Sequence, residues 1–181
     1  LNLSRDGSFE KFRQLGFPTS RLENYKYTDL RDALAVDYGL NFSRIRFAVD
    51  PYNVFKCDVP GISSYLYFVV NDAFYPVNIE RNNSLPEGVI IGSLKKAAEE
   101  HPELVKKYFG KLSEKQKDGL VAFNGAFAQD GFFMYVPKNV VLDKPVQLIN
   151  IMRSSVDFMA NSHNLIILDE GAGAQLLVCD H

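Results

Sequence analysis

The chain has 181 residues, of which 46% are hydrophobic and 23% charged, which suits one globular domain or one core with a small appendage. A formal net charge of −2 argues against a nucleic-acid surface, which needs a basic excess. No apolar run approaches the roughly 20 residues that a membrane-spanning helix requires.

The densest basic run, 106–117, has Glu114 within it and Asp118 beside it, and reads as the solvated face of helices. The two cysteines, Cys57 and Cys179, are far apart, so no disulfide framework is expected and a reducing cytoplasm is the default. No secretory signal is visible, but the first residue is Leu1 and not Met, so an upstream segment is expected to be missing.

In chain order, Ser8 is expected to cap a short helix carrying Phe9, Phe12 and Leu15, ended by Gly16 and Pro18. Thr28 is expected to cap a second helix with Leu30 and Leu34 on its apolar side. The intervening stretch, 18–29, is too polar and short for a core element of its own. Residues 65–70 are rich in β formers, Asn71-Asp72 supplies a turn, and 73–79 returns as the second arm of a hairpin. A short strand over 89–91 follows. Ser93 then caps a helix with Leu94, Ala97 and Ala98 at core spacing. His101-Pro102 restarts a helix with proline in its first turn, and Gly110 stops it after Leu104, Val105 and Phe109. Another helix, from near Asp118 to Ala128, is expected to bury Leu120, Val121, Phe123 and Phe127.

The run 124–138 changes character halfway. Small helix-compatible residues give way at Asp130-Gly131 to aromatic and β-branched ones ending in Val136-Pro137-Lys138. Five short strands are expected from there, over 132–136, 140–142, 146–152, 165–168 and 174–178, separated by proline, glycine and asparagine turns. Short strands with regular turns suggest stacked β coils, a β-helix or a jelly roll. Asn139 falls where the chain turns sharply, and asparagine tolerates the left-handed conformation. An open coil exposes unpaired backbone groups. This chain stops just after a strand, so either another chain covers that edge or the natural protein continues past His181, and the second is expected.

The chemistry-bearing residues are sparse. Iron–sulfur ligation wants several convergent thiolates, and neither Cys57 nor Cys179 has a second cysteine at ligand spacing, so both read as small apolar residues. His101 is expected to cap a helix or face solvent, His163 lies at a strand entry, and His181 is terminal. None has a partner at zinc-ligand spacing. Cys179 and His181 would share a face of one strand while Asp180 points away. Asp169-Glu170 could serve acid–base hydrolysis, but adjacent residues project apart and Gly171-Ala172-Gly173 marks a turn. The aromatic group Phe123, Phe127, Phe132, Phe133 and Tyr135 is read as core packing, with a ligand pocket as the alternative. No catalytic or metal residue is assigned, and no cofactor-binding residue is identified.

The stretch 18–30, Pro-Thr-Ser-Arg-Leu-Glu-Asn-Tyr-Lys-Tyr-Thr-Asp-Leu, is similar to the N-terminal signature of the SufD family, with Tyr25 where tryptophan is usual. The run 120–145 resembles that family's entry into its β-helix, through Asn124, Ala126, Phe127, Asp130-Gly131, Val136-Pro137-Lys138 and Lys144-Pro145. The run 164–168 followed by Gly171-Ala172-Gly173-Ala174 resembles one of its coils. The resemblance implies an α+β chain: a helical and mixed α/β region over 1–128, then the first coils of a right-handed parallel β-helix over 129–181. It also implies a non-catalytic scaffold of cytoplasmic iron–sulfur cluster assembly that pairs with SufB and the ATPase SufC, and it allows a homodimer through β-helix edges. No cofactor is expected within this segment, and a cluster would be held only transiently by the complex. Cluster-ligand and SufC-docking residues would lie beyond His181, and no residue here points to flavin. Two other readings compete with the scaffold. A β-solenoid enzyme acting on carbohydrate or acyl substrates needs a carboxylate pair or a projecting histidine. A cupin-like metal binder needs clustered histidines, and only His163 lies in the β region proper.

Overall fold

The structure is a computed structural model, and it describes residues 2–40, 49–54, 63–76 and 85–181. The chain opens with α1 (Asn2–Leu15), which starts well before the expected cap, so that Ser8 lies inside the helix. The reason is tertiary. An isolated short helix is marginal, and packing against a second helix, α6 (Gly119–Phe127), holds the extra turns. The C-terminus is as the sequence predicts: Gly16 takes φ 65° and its N–H donates to the Phe12 carbonyl at 2.7 Å.

The α1–α6 contact also corrects the expected burial of α6. Its fully buried residues are Gly119, Ala122 and Ala126, whereas Leu120, Val121, Phe123 and Phe127 are only half-buried. Small residues let the helices approach closely. A methyl group on Gly119 would run into the Gly16 carbonyl, and one on Gly125 would lie 2.7 Å from Ser8 Oγ. The aromatic residues pack around this seam, with Phe12 and Phe123 ring centres 5.1 Å apart and Phe9 and Phe127 6.2 Å apart.

The polar stretch after α1 forms a 3-10 turn, Glu23–Tyr25, and one helical turn, α2 (Arg31–Leu34). Thr28 does not cap α2. The N-cap position is Leu30, and the Asp29 carboxylate organises the turn by accepting from Arg31 N–H at 3.0 Å and from its guanidinium at 2.6 Å. Next come β1 (Gly39–Leu40) and a short helix, α3 (Pro51–Val54). The hairpin forms from β2 (Tyr65–Val70) and β3 (Ala73–Tyr75), with Asn71 at φ 59° in the turn. The expected extension of β3 over 77–79 lies outside the described residues.

Strand β4 (Ile90–Ser93) leads directly into α4 (Leu94–Glu100), capped by Ser93 Oγ, which accepts from Lys96 N–H at 3.1 Å. Helix α5 (Pro102–Tyr108) begins at proline, and Gly110 follows it at φ 78°. Asp118 caps α6, accepting from Leu120 N–H at 2.8 Å and Val121 N–H at 3.3 Å. The remaining strands are β5 (Phe132–Val136), β6 (Val146–Ile151), β7 (Phe158–Met159), β8 (Leu165–Leu168) and β9 (Leu176–Asp180). Around the expected strand over 140–142, only Val141 pairs, through a single bridge to Gly173. Strand β9 starts two residues later than predicted, and β7, two residues in a polar stretch, was not predicted at all.

Among the described residues the strands form three sheets, in the orders β3-β2-β6-β9, β4-β5-β8 and β1-β7. Their register is regular. Phe133 faces Leu165, Val136 faces Leu168 and Val141 faces Gly173, each in parallel with the residue 32 positions on. Val146 faces Leu176 and Asn150 faces Asp180, 30 positions on. The chain thus returns alongside itself in parallel once every 30–32 residues. Beneath β6 lies β2, also parallel, with Tyr65 against Val146 and Val70 against Ile151. Strands β2 and β4 come from before residue 128, so both larger sheets run across the expected 128/129 boundary.

The larger core is built from Tyr65, Tyr67 and Val69 of β2, Phe132, Met134 and Val136 of β5, and Val146 and Leu148 of β6. The alternate residues are buried too. Phe68, Ile149 and Ile151 pack with Val49, Tyr52 and Val54, while Phe133 and Ile167 pack under Leu94, Ala97 and Val105. Burial on both faces explains why these strands read as continuous apolar runs and not as alternating ones. Among the described residues no helix is long and apolar enough to cross a membrane.

Candidate functional site

The residues singled out from the sequence are dispersed. Cys57 lies outside the described residues. Cys179, in β9, is half-buried and packs beside Phe68, Ile149 and Ile151. Its neighbour Asp180 accepts from Asn150 Nδ2 at 2.8 Å, and His181 joins the strand ladder by donating its N–H to the Asn150 carbonyl at 2.8 Å. His101 occupies the N-cap position of α5, but its side chain makes no capping hydrogen bond; only its carbonyl takes part, accepting from Val105 N–H. The adjacent carboxylates project apart. Asp169 accepts from Tyr135 Oη at 2.7 Å, while Glu170 pairs with Lys138 Nζ at 2.7 Å. Gly171 takes φ 72° against the side chain of Asn139, itself left-handed at φ 61°. The aromatic group divides among three packing regions: Phe132 with the larger core, Phe133 and Tyr135 under α4 and α5, and Phe123 and Phe127 against α1. Among the described residues no three His, Cys, Asp or Glu side chains converge as metal ligands would.

One histidine does sit in a built environment. The side-chain amide of Asn124, on α6, donates from Nδ2 to the Ser162 carbonyl at 2.9 Å, which turns its Oδ1 toward His163 Nδ1, also at 2.9 Å. An amide oxygen only accepts, so the network places the imidazole proton on Nδ1 and leaves Nε2 with a lone pair. The Phe109 ring covers the imidazole at 4.7 Å between centres, and burial pushes the His163 pKa below its ordinary value. Nearby is a cavity of about 330 Å³ lined by Ser8 and Lys11 of α1, Phe109, Val121 and Gly125 of α6, and His163. Sequence reasoning placed His163 only at a strand entry. Its partner Asn124 stands 39 positions earlier, beyond the reach of any local motif.

Two acidic side chains tie these elements together. Asp130, 6% exposed, accepts from Ser93 Oγ at 2.8 Å, Lys95 N–H at 3.0 Å and Phe74 N–H at 3.3 Å. It joins the β4–α4 turn to the hairpin, where the sequence suggested only a helix breaker. Asp118 accepts from Tyr25 Oη at 2.7 Å, which anchors the 18–30 stretch on the α6 N-terminus. That hydrogen bond, followed by burial, pushes the Tyr25 phenol up to about 12.

The second candidate is a surface. Strands β9 and β8 stand at sheet edges among the described strands. Leu177 is 41% exposed and Val178 48%, although they point to opposite faces of β9, and Leu176, Ile166 and Leu168 are exposed beside them. An apolar edge of this kind is a template for strand addition.

The family model described as the SufBD protein N-terminal region matches residues 1–148. The iron–sulfur cluster assembly protein SufD of Bacillus subtilis is 36% identical over 97 residues, 52% of this chain and 22% of that protein. An iron–sulfur cluster assembly SufBD family protein of Synechocystis sp. is 36% identical over 92 residues, 50% of this chain and 19% of that protein. A SufBD family protein of Staphylococcus aureus is 38% identical over 93 residues, 48% of this chain and 18% of that protein. The matched segment spans about a fifth of the length of these curated relatives.

Proposed function

We propose a function from one premise: the chain belongs to the SufBD family. It serves iron–sulfur cluster assembly as a non-catalytic, cytoplasmic scaffold, a SufD-like subunit that pairs with SufB and works with the SufC ATPase. The observation that carries this reading is the parallel pairing of β5 with β8 and of β6 with β9, a 30–32-residue return, with an exposed apolar edge at β9. We take that return as the first coils of a right-handed parallel β-helix, the hand that parallel crossovers favour. Such an edge offers backbone donors and acceptors, with alternate side chains to select the strand that joins it. The cluster is cargo held at the joint surface of the complex, and this segment binds no cofactor of its own. The divergence of Asp169 and Glu170 weighs against the glycosidase-like alternative, which needs two carboxylates facing one bond.

Co-expression of the protein with SufB and SufC tests the reading. A stable three-component complex on affinity purification and gel filtration is expected. SufB and SufC recovered together without this protein would overturn it.

A further inference from the structure

We propose that the cavity between α1, α6 and the C-terminal end of α5 binds a small uncharged molecule with an apolar ring and one hydroxyl group, a simple phenol, which donates its hydrogen bond to His163 Nε2. The argument starts from hydrogen bonds already in place. Asn124 fixes the imidazole tautomer, so the nitrogen left over is an acceptor, and among the described residues it has no partner. Ser8 Oγ, on the same cavity, also has none. A hydroxyl both donates and accepts, so it can meet Nε2 with its proton and a serine hydroxyl with its lone pairs. No hydrogen bond joins Ser8 to His163, so the pair is not a nucleophile–base couple, and the arrangement speaks for binding.

The rest of the lining selects the body of the ligand. Phe109, Val121 and Ala122 give apolar walls, and Gly7 leaves open space beside them, while Gly125 brings Ser8 against α6. A volume of about 330 Å³ stands at the small end of the range for ligand pockets, roughly 300–1,000 Å³. Both charged side chains of the lining have partners, although among the described residues no carboxylate pairs with Lys11. Lys11 Nζ donates to the Ser113 carbonyl at 3.1 Å and the Glu114 carbonyl at 3.0 Å, and the Glu114 carboxylate faces Lys111 at 3.6 Å. The neutral imidazole at one wall asks for a donor, which a carboxylate cannot supply, so a hydroxyl fits Nε2 better than an anion drawn by Lys11.

The test uses the full chain at pH 8, with His163 followed by ¹⁵N imidazole spectra and binding followed by titration with p-cresol, toluene and benzoate. A saturable shift at His163 Nε2 is expected with p-cresol. Its affinity should exceed that of toluene by about five- to tenfold, the worth of one net hydrogen bond. Benzoate should bind more weakly than p-cresol. Absence of a saturable shift, or equal affinity for toluene, would overturn the proposal, as would tighter binding of benzoate. In a folded His163→Phe variant the preference for p-cresol over toluene should disappear, and its persistence would overturn the role of Nε2.

Discussion

At the scale of single residues, His163 makes folding sensitive to acid. Burial holds its pKa below the ordinary 6.5, so on acidification the unfolded chain takes up the proton before the folded one does. Stability from this group is complete above about 6.5 and falls as the pH drops below that value, toward the lowered folded pKa. Urea unfolding at pH 7.5 and 5.5 should show a loss of up to about 1.4 kcal/mol from this group, the worth of one pH unit. His163→Gln should flatten that dependence. The Tyr25–Asp118 bond gives a second expectation. Tyr25→Phe should cost about 1 kcal/mol, and Asp118→Ala about 1–2 kcal/mol because it also removes the α6 cap. A double-mutant cycle should find the two coupled. The Ser93 cap was legible in the sequence, whereas Asp118 reads there only as the approximate start of a helix, and Ser8 and Thr28, which read as caps, are not caps. The Asn124–His163 and Tyr25–Asp118 pairs were not legible, because their partners meet only after the chain has folded back.

Between elements, the α1–α6 seam depends on glycines whose missing side chains leave space for backbone. Gly119→Ala would drive a methyl group into the Gly16 carbonyl, a backbone atom that no rotamer change can move aside. A destabilisation of about 1–3 kcal/mol is expected. Hydrogen exchange should show the loss of protection concentrated in α1 and the first turn of α6, with β5 and β6 little affected. Element types were legible wherever local chemistry decides them: a cap before α4, proline opening α5, and runs of β formers at β2 and β5. The start of α1 was not, because packing on α6 extends that helix past its apparent cap, and a packing partner leaves no mark in a local window. The same applies to β7, whose two residues are strand only because β1 lies beside them.

For the whole molecule, the apolar edge is where assembly would be felt. Leu177→Lys and Val178→Lys place a charge on each face of β9 at positions already exposed, so the protein itself should stay within about 0.5 kcal/mol of its original stability. On the proposed pairing through this edge, association with SufB should weaken more than tenfold, since an unpaired charge buried at an interface costs several kcal/mol. Calorimetric titration against SufB checks both the edge and the scaffold reading. The register itself could not be read from the sequence: strands read as runs of β formers, but which run lies beside which depends on contacts 30–32 positions apart.

The parallel seat of β2 beneath β6 also sets a clock. Tyr65 to Val70 cannot meet Val146 to Ile151 until the ribosome has made about 80 further residues, a wait of roughly 4–16 s at 5–20 residues per second. Through that interval Tyr65, Tyr67, Phe68 and Val69, all nearly solvent-free in the finished protein, lack β6, and among the described strands only β3 pairs with theirs. The nascent chain therefore carries this apolar hairpin without its parallel partner for seconds. That makes the hairpin a segment for a chaperone to hold until β6 arrives.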